Sequence, residues 1–198
     1  MRYDDLAVAA LDLAAEGGLE AVSVRTVAAR AGVSPGLVQH RYGTKQQLLL
    51  AAMELVVQRV QARLEAADAA ADASANSRLR YRAEQLLPLD AQRRTEARVW
   101  LTFVARAAVD EQVAALHSQF WQAMQDSFAE LLAARRGQMS GDRLEDAESP
   151  VHEAVSDRDA DDAACLLAAL DGMAIANIAE SGRMNTRRLN TLLDQLLD

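Results

Sequence analysis

The chain has 198 residues, enough for one large domain or two small ones, with a net charge of −8 and a single cysteine, Cys165, which excludes a disulfide framework and any CxxC zinc or redox motif. His40, His117 and His152 are dispersed without metal-ligand spacing, so no metal or cofactor is expected, and the absence of a nucleophile-base spacing or phosphate loop gives an enzyme no support. There is neither an apolar run of about eighteen residues nor a basic-then-apolar leader, so no membrane span is expected and the location reads as cytoplasmic.

Alanine, leucine, arginine, glutamate and glutamine dominate, and no alternating strand-like run occurs, so the fold class is all-α with about nine helices. Leu6, Ala10, Leu13 and Ala14 predict a first helix ending at Gly17-Gly18. Ser23 then caps a second helix over 24–31, with Val27, Ala28 and Ala31 inward. Gly32 suits a left-handed turn and Val33 an inward plug. Ser34 caps a third helix over 35–42, with Pro35 at its permitted first position. Gly43 ends that helix, and Thr44 with Gln47 opens a long fourth one.

Two short helices joined by a tight glycine turn read as a helix-turn-helix at about 24–43, whose second helix would enter the DNA major groove. Leu37 or Val38 must pack inward, while Gln39, His40 and Arg41 carry groups able to meet base edges or phosphates. The acidic total conceals a local excess of the other sign. No Asp or Glu lies between Glu20 and Glu54, and that window holds Arg25, Arg30, Arg41 and Lys45, the chain's only lysine.

The segment VSVRTVAARAGVSPGLVQHRYGTKQQLLLAAM, Val22 to Met53, resembles the DNA-binding domain of the TetR family nearly position for position. The resemblance implies a DNA contact from Arg25, recognition-helix contacts at Gly36, Leu37, Gln39 and His40, and a phosphate contact from Lys45, where the helix N-terminus also favours an anion. The candidate DNA-binding set is therefore Ser23, Arg25, Ser34, Gly36, Leu37, Gln39, His40, Arg41, Thr44 and Lys45. Many family members carry tyrosine where this chain has Gln39, a change that favours reading of an adenine edge over a phosphate contact. The domain division expected is 1–46 for DNA binding and 47–198 for a helical ligand-binding and dimerisation domain.

Beyond the fourth helix, Glu65 to Ser77 reads as a frayed end and a loop, and a helix resumes at about 78–87. Asp90 caps the next helix, with Val99, Trp100, Phe103 and Val104 on its apolar face. The stretch from Leu86 to Ala107 resembles the C-terminal domain of the TetR subgroup that includes the betaine-pathway regulators. A long helix follows over about 110–136, and then a polar, acidic loop over 137–162. Tyr81, Trp100, Phe103, Phe120, Trp121, Met124, Phe128 and Met173 are candidate linings of a mostly apolar pocket for a small-molecule effector. Cys165, inside an apolar run, is expected to be buried.

The last two helices are apolar beyond what one core needs. Leu166, Leu170, Met173, Ala174 and Asn177 on one, with Leu189, Leu192, Leu193 and Leu196 on the other, are the expected homodimer interface. In TetR-type proteins those two helices form a four-helix bundle across a twofold axis. The function expected is a ligand-responsive homodimeric repressor binding a double-stranded, pseudo-palindromic operator. A helical interaction module without DNA binding is the alternative.

Overall fold

Side-chain caps set where most helices of this chain begin. The computed structural model describes residues 4–69, 74–141 and 155–198, and within them the chain forms nine helices and no strand. They are α1 (Asp4–Ala21), α2 (Val24–Ala31), α3 (Pro35–Tyr42), α4 (Lys45–Ala69), α5 (Ala75–Leu86), α6 (Ala91–Ala107), α7 (Glu111–Gly141), α8 (Asp157–Ala179) and α9 (Thr186–Leu197). Ser23, Ser34, Ser74, Asp90, Ser156 and Asn185 each accept a backbone N–H from the first turn of the helix they precede. Each such bond satisfies a donor the helix leaves orphaned, worth typically about 1 kcal/mol.

α1 does not stop at its glycines but breaks there and resumes for a last turn. Gly18 adopts φ 69° and ψ −171°, a region open essentially to glycine alone. The break redirects Leu19, Glu20 and Ala21. The acidic connector is also shorter than expected: α7 continues to Gly141 and α8 begins at Asp157. Residues 142–154 of that predicted loop lie outside the described residues. α5 starts at Ala75, three residues earlier than the apolar spacing predicts, because Ser74 caps it.

The chain divides into two compact units, one reaching Ala62 and adding Pro88–His117, the other made of Arg63–Leu87 and Ser118–Asp198. This cut differs from the expected division after residue 46, because α4 continues as one helix and α6 packs on α1. In the first unit α1 lies against α2 and α6, and α2 against α3. Ala10, Leu11, Val27, Val38 and Leu48 form its fully enclosed centre. The Glu96 carboxylate is buried there too, with an amide N–H from Gln92 at 3.0 Å and the Arg59 guanidinium at 3.9 Å.

The second unit centres on Phe128, Leu79, Leu87, Leu170 and Leu193, with α5, α8 and α9 in mutual contact. At the start of α8, Asp159 is buried and accepts from the Ser156 hydroxyl and backbone N–H and from Arg136. Burial alone would raise its pKa, but the bonds from Ser156 and the Arg136 guanidinium outweigh that and lower it to about 2. α8 is long and apolar enough by composition to cross a bilayer, although Asp171 interrupts its apolar run. Here Leu166, Leu167, Leu170 and Met173 are buried in the unit's core, while Ile175 is exposed.

One correction concerns Cys165, which is exposed rather than buried. Its neighbours Leu166 and Leu167 occupy the inward arc of α8. Cys165 instead falls in line with Ala168, Gly172, Ile175 and Ala179, all exposed. Those positions recur at alternating steps of four and three residues, the spacing of a single helix face.

Candidate nucleic-acid interface

The turn between α2 and α3 is made by one residue in a left-handed conformation. Gly32 sits at φ 68° and ψ 33°, and the N–H groups of Gly32 and Val33 bond the carbonyls at the end of α2. A side chain at Gly32 would meet no neighbour, so the cost of replacing it is backbone strain alone. Ser34 then caps α3 by accepting the Leu37 N–H at 3.3 Å. At the start of α2, Ser23 and Thr26 exchange reciprocal bonds of 3.1 and 2.9 Å, a complete capping box.

Val38 is fully buried and Leu37 is 44% exposed, so Val38 is the residue that anchors α3. Enclosing a valine contributes about 1.5–3 kcal/mol. With about 100° between successive residues, burial of Val38 turns Gly36 and His40 directly away from the core. Leu37 and Arg41 flank them on one side and Gln39 on the other, and all five are exposed. A side chain added at Gly36 would meet only the Ser34 hydroxyl, at 4.0 Å, so this face is open.

Arg25 on α2 is exposed. Thr44 caps α4 by accepting the Gln47 N–H at 3.2 Å, and Lys45 begins that helix. Ser23, Ser34 and Thr44 are thus engaged as caps through their hydroxyl oxygens. The Gln39 amide donates to the Gly43 carbonyl at the end of α3. An amide reading a base edge from this position has to leave that carbonyl first.

The acid-free window of the sequence is not acid-free in space. Glu16 and Glu20 of α1 reach across to it. Arg30 donates to both Glu16 oxygens, at 3.0 and 2.6 Å, and this hydrogen bonding holds the Glu16 carboxyl below its ordinary range. Lys45 Nζ lies 3.1 Å from Glu20. The redirected last turn of α1 supplies Glu20, an arrangement that no local reading of residues 21–53 could find. Exposed pairs of this kind hold loosely. They cover the cations without fixing them.

The effector candidates do not fall in one unit. Trp100 and Phe103 belong to the first, where Trp100 stacks on Phe103 at 6.2 Å and on His117 at 5.1 Å, and burial lowers the His117 pKa. Tyr81, Phe120, Trp121, Met124, Phe128 and Met173 belong to the second. There Phe128, Met124 and Met173 are buried and Tyr81 is exposed.

The interface candidates also sort by burial. Leu166, Leu170, Met173, Ala174, Asn177, Leu189 and Leu193 are buried within the single chain, Leu192 is half-buried, and Leu196 is 40% exposed. Asn177 spends its amide on the Met184 carbonyl at 2.6 Å. Most of these apolar side chains therefore face the chain's own core. The exposed stripe of α8 begins at Cys165 and carries mostly small residues, with Ile175 the exception.

Residues 6–52 match the model of bacterial regulatory proteins of the tetR family, and residues 75–198 match that of the BetI-type transcriptional repressor C-terminal domain. The HTH-type transcriptional regulator PksA of Bacillus subtilis (strain 168) is 26% identical over 195 residues, covering 98% of this chain and 87% of that protein. A transcriptional regulator from Rhodococcus sp. Rha1 superimposes with a TM-score of 0.79 at 31% identity, covering 98% of this chain and 92% of the other. A regulator from Saccharomonospora viridis, solved in complex with choline, gives a TM-score of 0.82 at 21% identity over 98% of this chain and 94% of its own.

Proposed function

Because the chain belongs to the TetR family of bacterial regulatory proteins, with a BetI-type C-terminal domain, it is a DNA-binding transcriptional regulator and not an enzyme, and we propose that it acts as a homodimeric, ligand-responsive repressor in the cytoplasm. Two copies of α3, related by a twofold axis, read the half-sites of a pseudo-palindromic operator. The observation that carries this reading is the exposed face of α3, where Gly36 and His40 point outward behind the buried anchor Val38. Gln39 and Arg41 reach base edges or phosphates from its flanks. Arg25 and Lys45 hold the backbone on either side.

The dimer forms on the outer face of α8, through Cys165, Ala168, Gly172, Ile175 and Ala179, with Leu196 of α9 exposed as well. Small side chains let two helices approach closely, which favours this face over the leucines already enclosed. The effector is a small, largely apolar molecule met by the aromatic and methionine side chains of the second unit, Tyr81, Phe120, Trp121, Met124, Phe128 and Met173. The Saccharomonospora viridis regulator holds choline, and aromatic faces such as Phe120 and Trp121 are what a quaternary ammonium requires. Repression follows from occupancy of the operator, and the effector acts by changing the separation of the two α3 helices.

The test is a binding-site selection from random duplexes with the full-length protein, followed by mobility shift on DNA upstream of its own gene. An inverted repeat with half-sites about one helical turn apart, or a multiple of it, is the expected product. Recovery of no sequence, or of a single unsymmetrical site, overturns the reading.

A further inference from the structure

A cavity of about 280 Å³ opens in the first unit, among α1, the start of α4, α6 and the start of α7. Its walls are apolar, including Ala14, Leu49, Ala52, Val99, Phe103 and Val113, and its rim carries Glu20, Lys45, Gln46 and Arg106. Protein interiors leave few voids larger than a water molecule. An apolar chamber under a short polar rim is the ordinary form of a small-molecule site, here near the lower end of the usual ~300–1,000 Å³.

The rim selects charge. Two cations and one carboxylate line it. The two cations are held differently: Lys45 pairs with Glu20, whose side chain is 96% exposed, whereas Arg106, 49% exposed, donates at 2.8 Å to Asp110, which is only 14% exposed and also caps α7. An incoming carboxylate can replace Glu20 at Lys45 and share with Asp110 the half-exposed guanidinium of Arg106, whose planar fork suits a carboxylate better than a point charge does.

We propose that this cavity binds a small aromatic or branched carboxylate, with the apolar body between α4 and α6 and the carboxylate between Arg106 and Lys45. It is a site separate from the effector candidates of the second unit. Binding there occupies the same ammonium that the operator phosphate needs, so ligand and DNA oppose each other, each weakening the other by the same factor. This opposition rests on the DNA-binding reading above. The site itself does not.

The probe is phenylacetate, titrated calorimetrically into the full-length protein, with phenethylamine as a cation of similar size. Phenylacetate binds once per chain and phenethylamine does not. Arg106→Gln and Lys45→Gln each weaken phenylacetate by about tenfold. Val99→Phe, which fills the cavity, abolishes binding with the helical circular dichroism unchanged; if it misfolds, Leu49→Phe on the half-buried wall serves instead. A silent titration overturns the proposal, as does binding that Arg106→Gln and the filling variants leave unaltered. Phenylacetate also weakens DNA binding by the wild type, and on Arg106→Gln the same effect needs about tenfold more phenylacetate. A protein that binds phenylacetate in this pattern but binds no DNA retains the site and loses the regulator reading.

Discussion

Replacing Glu20 by Gln removes the carboxylate that holds Lys45 in the DNA-free protein and should strengthen operator binding. At 3.1 Å two unit charges in bulk water attract by about 1.3 kcal/mol. Side-chain ordering and salt reduce an exposed pair to about 0–1 kcal/mol, and Glu20 is almost fully exposed. Taking about 0.5 kcal/mol for each of the two copies in a dimer gives about 1 kcal/mol, or roughly a fivefold gain in affinity. Fluorescence anisotropy on the selected operator at fixed salt measures it. The control is Lys45→Ala, which should weaken all operator variants alike, because a phosphate contact carries no sequence information. In that background Glu20→Gln should lose most of its effect. An equal gain with and without Lys45 would mean that Glu20 acts as a diffuse repelling charge, and the role given to Lys45 would be refuted.

Gln39→Ala should flatten base preference at one symmetric pair of operator positions, a discrimination worth about 1–3 kcal/mol if the amide leaves Gly43 to read adenine; a selection returning the unchanged motif assigns Gln39 to the helix end instead. Asp159→Asn should destabilise the fold by about 1–2 kcal/mol at pH 7, since its carboxyl is lowered to about 2 from 3.8. That contribution is complete above the unfolded value and fades as pH falls through about 2, so urea midpoints of wild type and variant should converge there; a gap constant with pH contradicts the assignment. Ala168→Arg should leave the fold intact and shift sedimentation to the monomer. Thiol labelling of Cys165 should be fast in dilute protein and slow as concentration rises; a rate independent of concentration removes α8 from the interface.

What could be read in advance was local. Ser23, Ser34, Asp90 and the glycine at position 32 act on the turn they occupy, and their neighbours in sequence are their neighbours in space. Which face of α8 turns inward is not local. The run around Cys165 is apolar on both sides, so composition alone could not separate the enclosed leucines from the exposed small residues. Long-range meetings were equally hidden. Glu20 reaches Lys45 only because Gly18 breaks α1, and Arg106 joins the same cavity from α6.

The placement of the cations has a consequence for how such a regulator drifts over generations. In the proposed complex the base-reading side chains sit on α3, whereas Lys45, the proposed phosphate contact, is on α4 and its carboxylate partner Glu20 on α1. A substitution at position 20 therefore rescales occupancy of every operator at once and leaves the preferred sequence alone. Strength and specificity become separately heritable. A population can retune the leakiness of its promoters through α1 without losing the genes it controls, and can acquire a new target through α3 without resetting the rest.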